Sequence, residues 1–299
     1  MLDYKALFVF CEGKHDVALT RLVLKHIFGF SRAKWPLSQF PSPLNQIFRN
    51  TLSLHAMKDL DLAMAHKFFL PDRVLYKENN LILLFDSGGD ARKNNIMPFL
   101  SSYMLLSKEA SELTGETDKI IKKSRYLFIY DADSRSFDII FDEFMRDFSE
   151  ISDIYGKEQW ISGNIVVDKN NMAGIVDGDK GIYIWGDPKK GGTLEDILIP
   201  LLQKDHAQLI EKSNDAVTNM FDWKIQDPVK EIAIAEKSKK QKAIITLAGQ
   251  RKRPGSSMNV MIDQTGLITG NALNALPSVK EFADFISKFA EFKKLFGTI

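Results

Sequence analysis

Residues 8–24 read FVFCEGKHDVALTRLVL, and two different periodicities meet inside them. From Ala6 to Cys11 the residues are continuously apolar, the pattern of a strand covered on both faces. From His15 to Phe28 the apolar positions Leu19, Leu22, Val23 and Ile27 recur at helical spacing. Glu12 and Gly13 stand at the junction, and Asp16 follows one turn later. A buried strand that turns straight into an amphipathic helix is the repeating unit of a parallel α/β sheet.

Two further stretches repeat the plan. Leu81 to Phe85 (LILLF) ends in Asp86-Ser87-Gly88-Gly89, and the pattern predicts a helix from about Ala91 to Lys108. Arg125 to Tyr130 (RYLFIY) ends in Asp131-Ala132-Asp133, followed by a helix from Phe137 to Phe148. Three such strands separated by helices describe a doubly wound parallel sheet. Ligands of such sheets lie outside the carboxyl ends of the strands. That rule places Glu12, Gly88 and Asp131 on one rim.

The intervening segment 30–78 contains Pro36, Pro41, Pro43 and Pro71 with weak periodicity, and reads as an insertion with one or two short helices. Between Trp160 and Trp185, short apolar runs and glycine breaks predict hairpins. Thr193 is a plausible N-cap for a helix opened by Leu194-Glu195-Asp196. Helical patterning runs on through Phe221 and again from Val229 to Ala248, and RKRPGSS (251–257) is a loop. The chain closes on a helix from Val279 to Phe292, whose Phe282, Phe285, Ile286 and Phe289 stripe reads as core or an oligomer contact. The expected layout is a core over 1–150, interrupted at 30–78, and a mainly helical part over 151–299 that completes it.

Composition narrows the class. The 299 residues carry a net charge of +1, so nothing steers the whole chain towards polyanions and any nucleic-acid surface must come from local segregation. The single cysteine excludes an internal disulfide framework and fits a reducing compartment; Cys11, inside a strand pattern, reads as a packing residue. The start has no signal-peptide pattern and no apolar run is long enough to span a bilayer, so the expectation is a soluble cytoplasmic protein. His26, His55, His66 and His206 have no metal-ligand spacing, which argues against zinc.

Each acidic residue alone has an ordinary explanation as a helix cap or a charge at a helix N-terminus. Their convergence is harder to explain that way. Carboxylates crowded on one rim raise each other's pKa unless a cation neutralises them. Oxygen ligands with room for water suit Mg²⁺ or Mn²⁺.

Glu12-Gly13-x-x-Asp16 after one strand, Gly88-Gly89 after the next and Asp131-x-Asp133 after the third resemble a Toprim domain. This is the metal-binding fold shared by topoisomerases, bacterial primases, small RNA-maturation nucleases and OLD-type nucleases. The resemblance covers roughly residues 4 to 150 apart from the insertion. It implies that Glu12 is a metal ligand or general acid/base, that Asp131 and Asp133 hold Mg²⁺ or Mn²⁺, and that Asp16 is a further ligand or an orienting residue. Gly13, Gly88 and Gly89 would let the backbone approach the site. No zinc-ribbon cysteines, topoisomerase tyrosine domain or Walker A motif is recognisable, so the layout is most similar to small standalone Toprim proteins. OLD-type nucleases carry one more acid and a lysine beyond the Asp-x-Asp. Glu195 and Lys240 are the candidates here, with Lys242 a near-equal alternative to Lys240.

The implied activity is Mg²⁺-dependent hydrolysis of phosphodiester bonds in DNA or RNA, in repair, RNA maturation or anti-phage defence. A separate ABC-type ATPase is an implied partner, and homo-oligomers are compatible with the pattern. The competing readings are a non-catalytic binding module, as in recombination mediators, and a nucleotidyl-transfer enzyme. Charge segregation favours a polyanionic partner: Lys237 to Arg253 holds seven basic residues and no acid, whereas 131–153 holds eight acids against two arginines. Arg135, Lys242, Arg251, Lys252 and Arg253 are the candidate phosphate contacts. Ser134-Arg135-Ser136 follows Asp133 where many Toprim proteins have a glycine, and Arg135 could contact phosphate or instead pair with Asp138 or Asp142.

Overall fold

The computed structural model describes residues 2–56, 69–89, 92–112, 119–155, 166–167, 174–177, 179–187, 191–221 and 229–295. The first strand, β1 (Leu2–Cys11), runs into α1 (Lys14–Phe28) through the Glu12-Gly13 turn. Next come a short β2 (Ser31–Arg32), α2 (Leu44–Ala56), β3 (Arg73–Lys77) and β4 (Asn80–Asp86). Helix α3 (Arg92–Glu112) leads to β5 (Lys119–Asp131), and α4 (Phe137–Tyr155) follows. Strands β6 (Val166–Val167), β7 (Gly174–Asp177) and β8 (Lys180–Trp185) precede five helices. These are α5 (Glu195–Phe221, kinked at His206), α6 (Lys230–Gln250), α7 (Met258–Gln264), α8 (Gly270–Ala275) and α9 (Pro277–Ala290).

The described strands form one sheet in the order β2-β3-β4-β1-β5-β8-β7-β6. Its centre, β4-β1-β5-β8, is parallel, and the outer strands are antiparallel. This is an α/β fold with a Rossmann-like parallel centre flanked by helices and a helical C-terminal part. The chain leaves β1 for β4 on one side and later returns to β5 on the other. The gap between the carboxyl ends of β1 and β5 is therefore a topological switch point, where helices diverge to opposite faces.

Side-chain alternation explains the two layers. Leu7, Val9 and Cys11 of β1 face a core shared with α1 and the C-terminal helices. Ala6, Phe8 and Phe10 face a second core with α2, α3 and α4. Burial on both sides is why β1 reads as an unbroken apolar run. In α9, Phe282 and Ile286 are fully buried, and the Phe282 ring lies 4.6 Å from both Tyr183 and Trp185. The phenylalanine stripe is thus core of this chain.

Three expectations need correction. Segment 30–78 does not merely insert short helices: β3 pairs antiparallel with β4 and widens the sheet. The fourth parallel strand, β8, is part of the centre as well as of a hairpin, since it pairs with β5 as well as β7. Two short helices, α7 and α8, follow the 251–257 loop where no periodicity predicts them. Residues 160–165, 168–173 and 178 of the predicted hairpin region lie outside the described residues. No helix among the described residues is long and apolar enough to cross a membrane.

Candidate functional site

The parallel register fixes the geometry of the rim. Cys11 lies opposite Asp86 of β4 and Ile129 of β5, and Asp131 lies opposite Trp185 of β8. Glu12, Asp86 and Asp131 therefore emerge at nearly the same level. The Asp131 N–H donates to Glu12 Oε2 at 3.1 Å, so the Glu12 carboxylate spans the switch point.

Asp16, one turn into α1, is 5% exposed, and its Oδ2 accepts the Gly13 N–H at 3.0 Å. Its other oxygen, Oδ1, is buried with no hydrogen-bond partner. The chain brings a further acid from far away. The Leu194 N–H donates to Asp131 Oδ1 at 2.9 Å, which draws the start of α5 onto the rim. Glu195 follows, only 2% exposed, and accepts a hydrogen bond from Ser238 Oγ of α6 at 3.0 Å.

Asp133 is held by backbone. Its N–H donates to Gly192 O and the Gly192 N–H donates to Asp133 O, both at 2.8 Å. Asp133 has a positive φ of 50°, and neighbouring Gly191 has φ 80°. A Cβ on Gly191 would lie 1.9 Å from the Asp133 carbonyl oxygen, so only glycine permits this clasp.

The electrostatics follow from crowding and burial. Burial pushes the Asp131 carboxyl well above the usual carboxylate range, and the charges of Asp16, Glu12, Glu195 and Asp133 add to it. Burial, then Glu12, pushes Asp16 up to about 8. Burial also raises Glu12, opposed by the Asp131 N–H and by Arg92. Burial pushes His15 down, with Lys242 adding to the shift and Glu195 opposing it. Protonation must therefore do the neutralising when no cation is bound.

Among the described residues, no three His, Cys, Asp or Glu side chains already form a ligand set for a metal ion. Glu12, Asp131 and Asp16 each give an oxygen to a backbone N–H instead. Glu12, Asp16 and Asp131 are all carboxylates pushed above their ordinary range, and Asp16 Oδ1 is a buried acceptor without a donor, the kind of oxygen a hard cation takes.

The lysine assignment changes. Helical spacing puts Ser238 and Lys242 on one face of α6, and Lys242 Nζ lies 3.8 Å from Glu195 Oε1. Lys240 is about 160° away from both around the helix, so it faces away from the acids. Lys242 is the lysine the structure brings to the acids. Arg251, Lys252 and Arg253 are exposed beyond the carboxyl end of α6, roughly 13 Å further along the helix axis than Lys242. They are not part of the rim.

Arg135 is part of it, although it pairs with neither Asp138 nor Asp142. Its Nη2 lies 3.2 Å from Asp133 Oδ2 and its Nη1 lies 2.8 Å from Glu143 Oε2. Of the glycines, Gly88 and Gly89 adopt positive φ, and the Gly89 N–H caps the rim by donating to Glu12 O at 3.0 Å. Gly13 is in extended backbone that any residue adopts, and a Cβ there would meet nothing closer than 3.8 Å.

Two site residues escaped the sequence reading. Arg92, in the first turn of α3, lies 4.0 Å from Glu12 Oε2 and 3.9 Å from Glu143 Oε2. Nothing in the sequence distinguishes Arg92 or Glu143 from other charges on helices.

No family model matches the chain, and no curated protein matches it. Among solved structures, it is similar to a hypothetical protein from Pyrococcus horikoshii OT3, with 15% identity and a TM-score of 0.43, over 96% of this chain and 95% of that one.

Proposed function

We propose that this chain is a divalent-metal-dependent phosphodiesterase of the Toprim kind, acting on DNA or RNA. The observation that carries the reading is the buried acid cluster at the switch point, with Asp16 Oδ1 left without a donor. Glu12, Asp131 and Asp133 would hold Mg²⁺ or Mn²⁺, with Asp16 and Glu195 completing the shell. A bound metal of this type activates water and neutralises charge on a phosphodiester.

The remaining groups have roles of their own. The Asp131 N–H and the Leu194 N–H orient two of the carboxylates before any ligand arrives, which lowers the cost of assembling the site. Lys242 supplies positive charge beside Glu195, where charge develops on a reacting phosphate. Purified protein should cleave labelled DNA or RNA in Mg²⁺ or Mn²⁺ and not in EDTA. Glu12→Ala and Asp131→Ala should each abolish that cleavage; undiminished cleavage by either variant refutes the reading.

A further inference from the structure

Beside the acids lies a second constellation, built on the opposite face of the sheet. The Arg92 guanidinium carbon lies over the Tyr130 ring, 4.3 Å from its centroid, and its side chain is only 12% exposed. Its two terminal nitrogens point to different carboxylates, Glu12 at 4.0 Å and Glu143 at 3.9 Å. The Arg135 guanidinium divides itself the same way, between Glu143 at 2.8 Å and Asp133 at 3.2 Å, and also donates to Asp131 O at 3.3 Å. One oxygen, Glu143 Oε2, thus faces both arginines from α4. The Tyr130 hydroxyl beneath them is buried with no partner.

Two guanidiniums here share one carboxylate. Glu143 can neutralise only one of them, and the rest of their charge is spent on Glu12 and Asp133 at distances of 3.2–4.0 Å. Those contacts are longer than a good charge-assisted hydrogen bond. Glu143 faces both arginines and the Tyr130 ring backs Arg92, while the contacts to Glu12 and Asp133 are loose enough to be exchanged. Planar forks held in this way match the oxygens of a phosphate.

The geometry points to a phosphate clamp: Arg92 and Arg135 seat a backbone phosphate of a nucleic-acid strand next to the acid cluster, and Glu143 is the positioning residue that holds both forks. The clamp gives the proposed site its substrate class and rests on that proposal for its place in catalysis, but binding can be tested without cleavage. Removing the negative charge of Glu12 or Asp133 frees the forks further, so occupation of the acids by a cation and seating of phosphate reinforce each other.

The test is fluorescence anisotropy of a short labelled DNA strand, and of the RNA strand of the same sequence, titrated with the full chain in EDTA and in Ca²⁺ over a range of salt concentrations. Arg92→Ala and Arg135→Ala are expected to weaken binding about ten- to hundredfold and to lower the salt slope by about 1 each. Arg92→Lys keeps the charge without the fork and should fall between. Glu143→Gln removes a negative charge, so simple attraction predicts tighter binding, whereas a positioning role predicts weaker binding with an intact thermal melt. Wild-type affinity and salt slope in both arginine variants overturn the clamp, and tighter or unchanged binding by Glu143→Gln overturns the positioning role. Arginine-dependent binding without cleavage in any divalent metal overturns the phosphodiesterase and leaves the clamp. Metal-dependent cleavage with binding indifferent to the arginines overturns the clamp alone.

Discussion

Asp16→Asn should make the metal-free protein more stable, by a margin that grows with pH. The carboxyl titrates near 3.9 in an unfolded chain and is pushed up to about 8 in the folded one, chiefly by burial. The folded state therefore holds its proton longer, so the group's contribution to stability is fully present below about pH 4 and is lost as pH rises towards 8. Each pH unit inside that window costs about 1.4 kcal/mol. At pH 7 the sum is about 4 kcal/mol as an upper bound, a large share of the stability of an ordinary domain. Asparagine keeps an oxygen for the Gly13 N–H and has nothing to ionise. The assay is urea denaturation of both proteins in EDTA from about pH 5 to pH 8. The variant should gain on the wild type by about 3.5 kcal/mol across that range. A difference that stays constant with pH refutes the argument, because Asp16 would then not be a buried acid held against its neighbours.

Two further pairs of substitutions separate positions that look alike in the sequence. Gly191→Ala should destabilise by about 2–4 kcal/mol, from left-handed backbone strain and collision with the Asp133 carbonyl, whereas Gly13→Ala should change stability by less than about 0.5 kcal/mol; thermal melts of the two variants check both. Lys242→Ala should lower metal-dependent cleavage on the order of tenfold or more, and Lys240→Ala should leave it unchanged, because α6 turns only Lys242 towards Glu195. Equal effects of the two lysines in the cleavage assay would contradict that assignment.

The parts of the fold legible in the sequence are those whose burial is one-dimensional. Strands β1, β4 and β5 are covered on both faces, so their apolar runs and abrupt polar ends stand out, and with them the rim that carries Glu12 and Asp131. Strand β3 (RVLYK) is covered less evenly, so its pattern is lost among the prolines and aromatics of 30–78. Helices α5, α6 and α9 leave helical patterning in the sequence, but which face meets the site depends on rotation about the helix. That is why Lys240 and Lys242 looked equivalent until Glu195 was placed beside α6.

The remainder of the site is tertiary by construction. Glu195 reaches the rim only because the Leu194 N–H caps Asp131 across 63 positions of chain. Arg92 and Glu143 come from two helices on the other face, joined by ion pairs that leave no local signature. The Gly191-Gly192 clasp on Asp133 left a sequence trace in its paired glycines, but its partner was invisible without the fold.

The account turns on whether the acid cluster takes up a divalent cation. Isothermal titration of Mn²⁺ into the metal-free protein near pH 7, in two buffers of different ionisation enthalpy, tests this directly. The account predicts saturable binding to the wild type, with release of about one proton or more as the raised carboxyls ionise, and at least about tenfold weaker binding to Asp131→Asn. Absence of saturable binding, or equal affinity in the variant with no proton release, would contradict it.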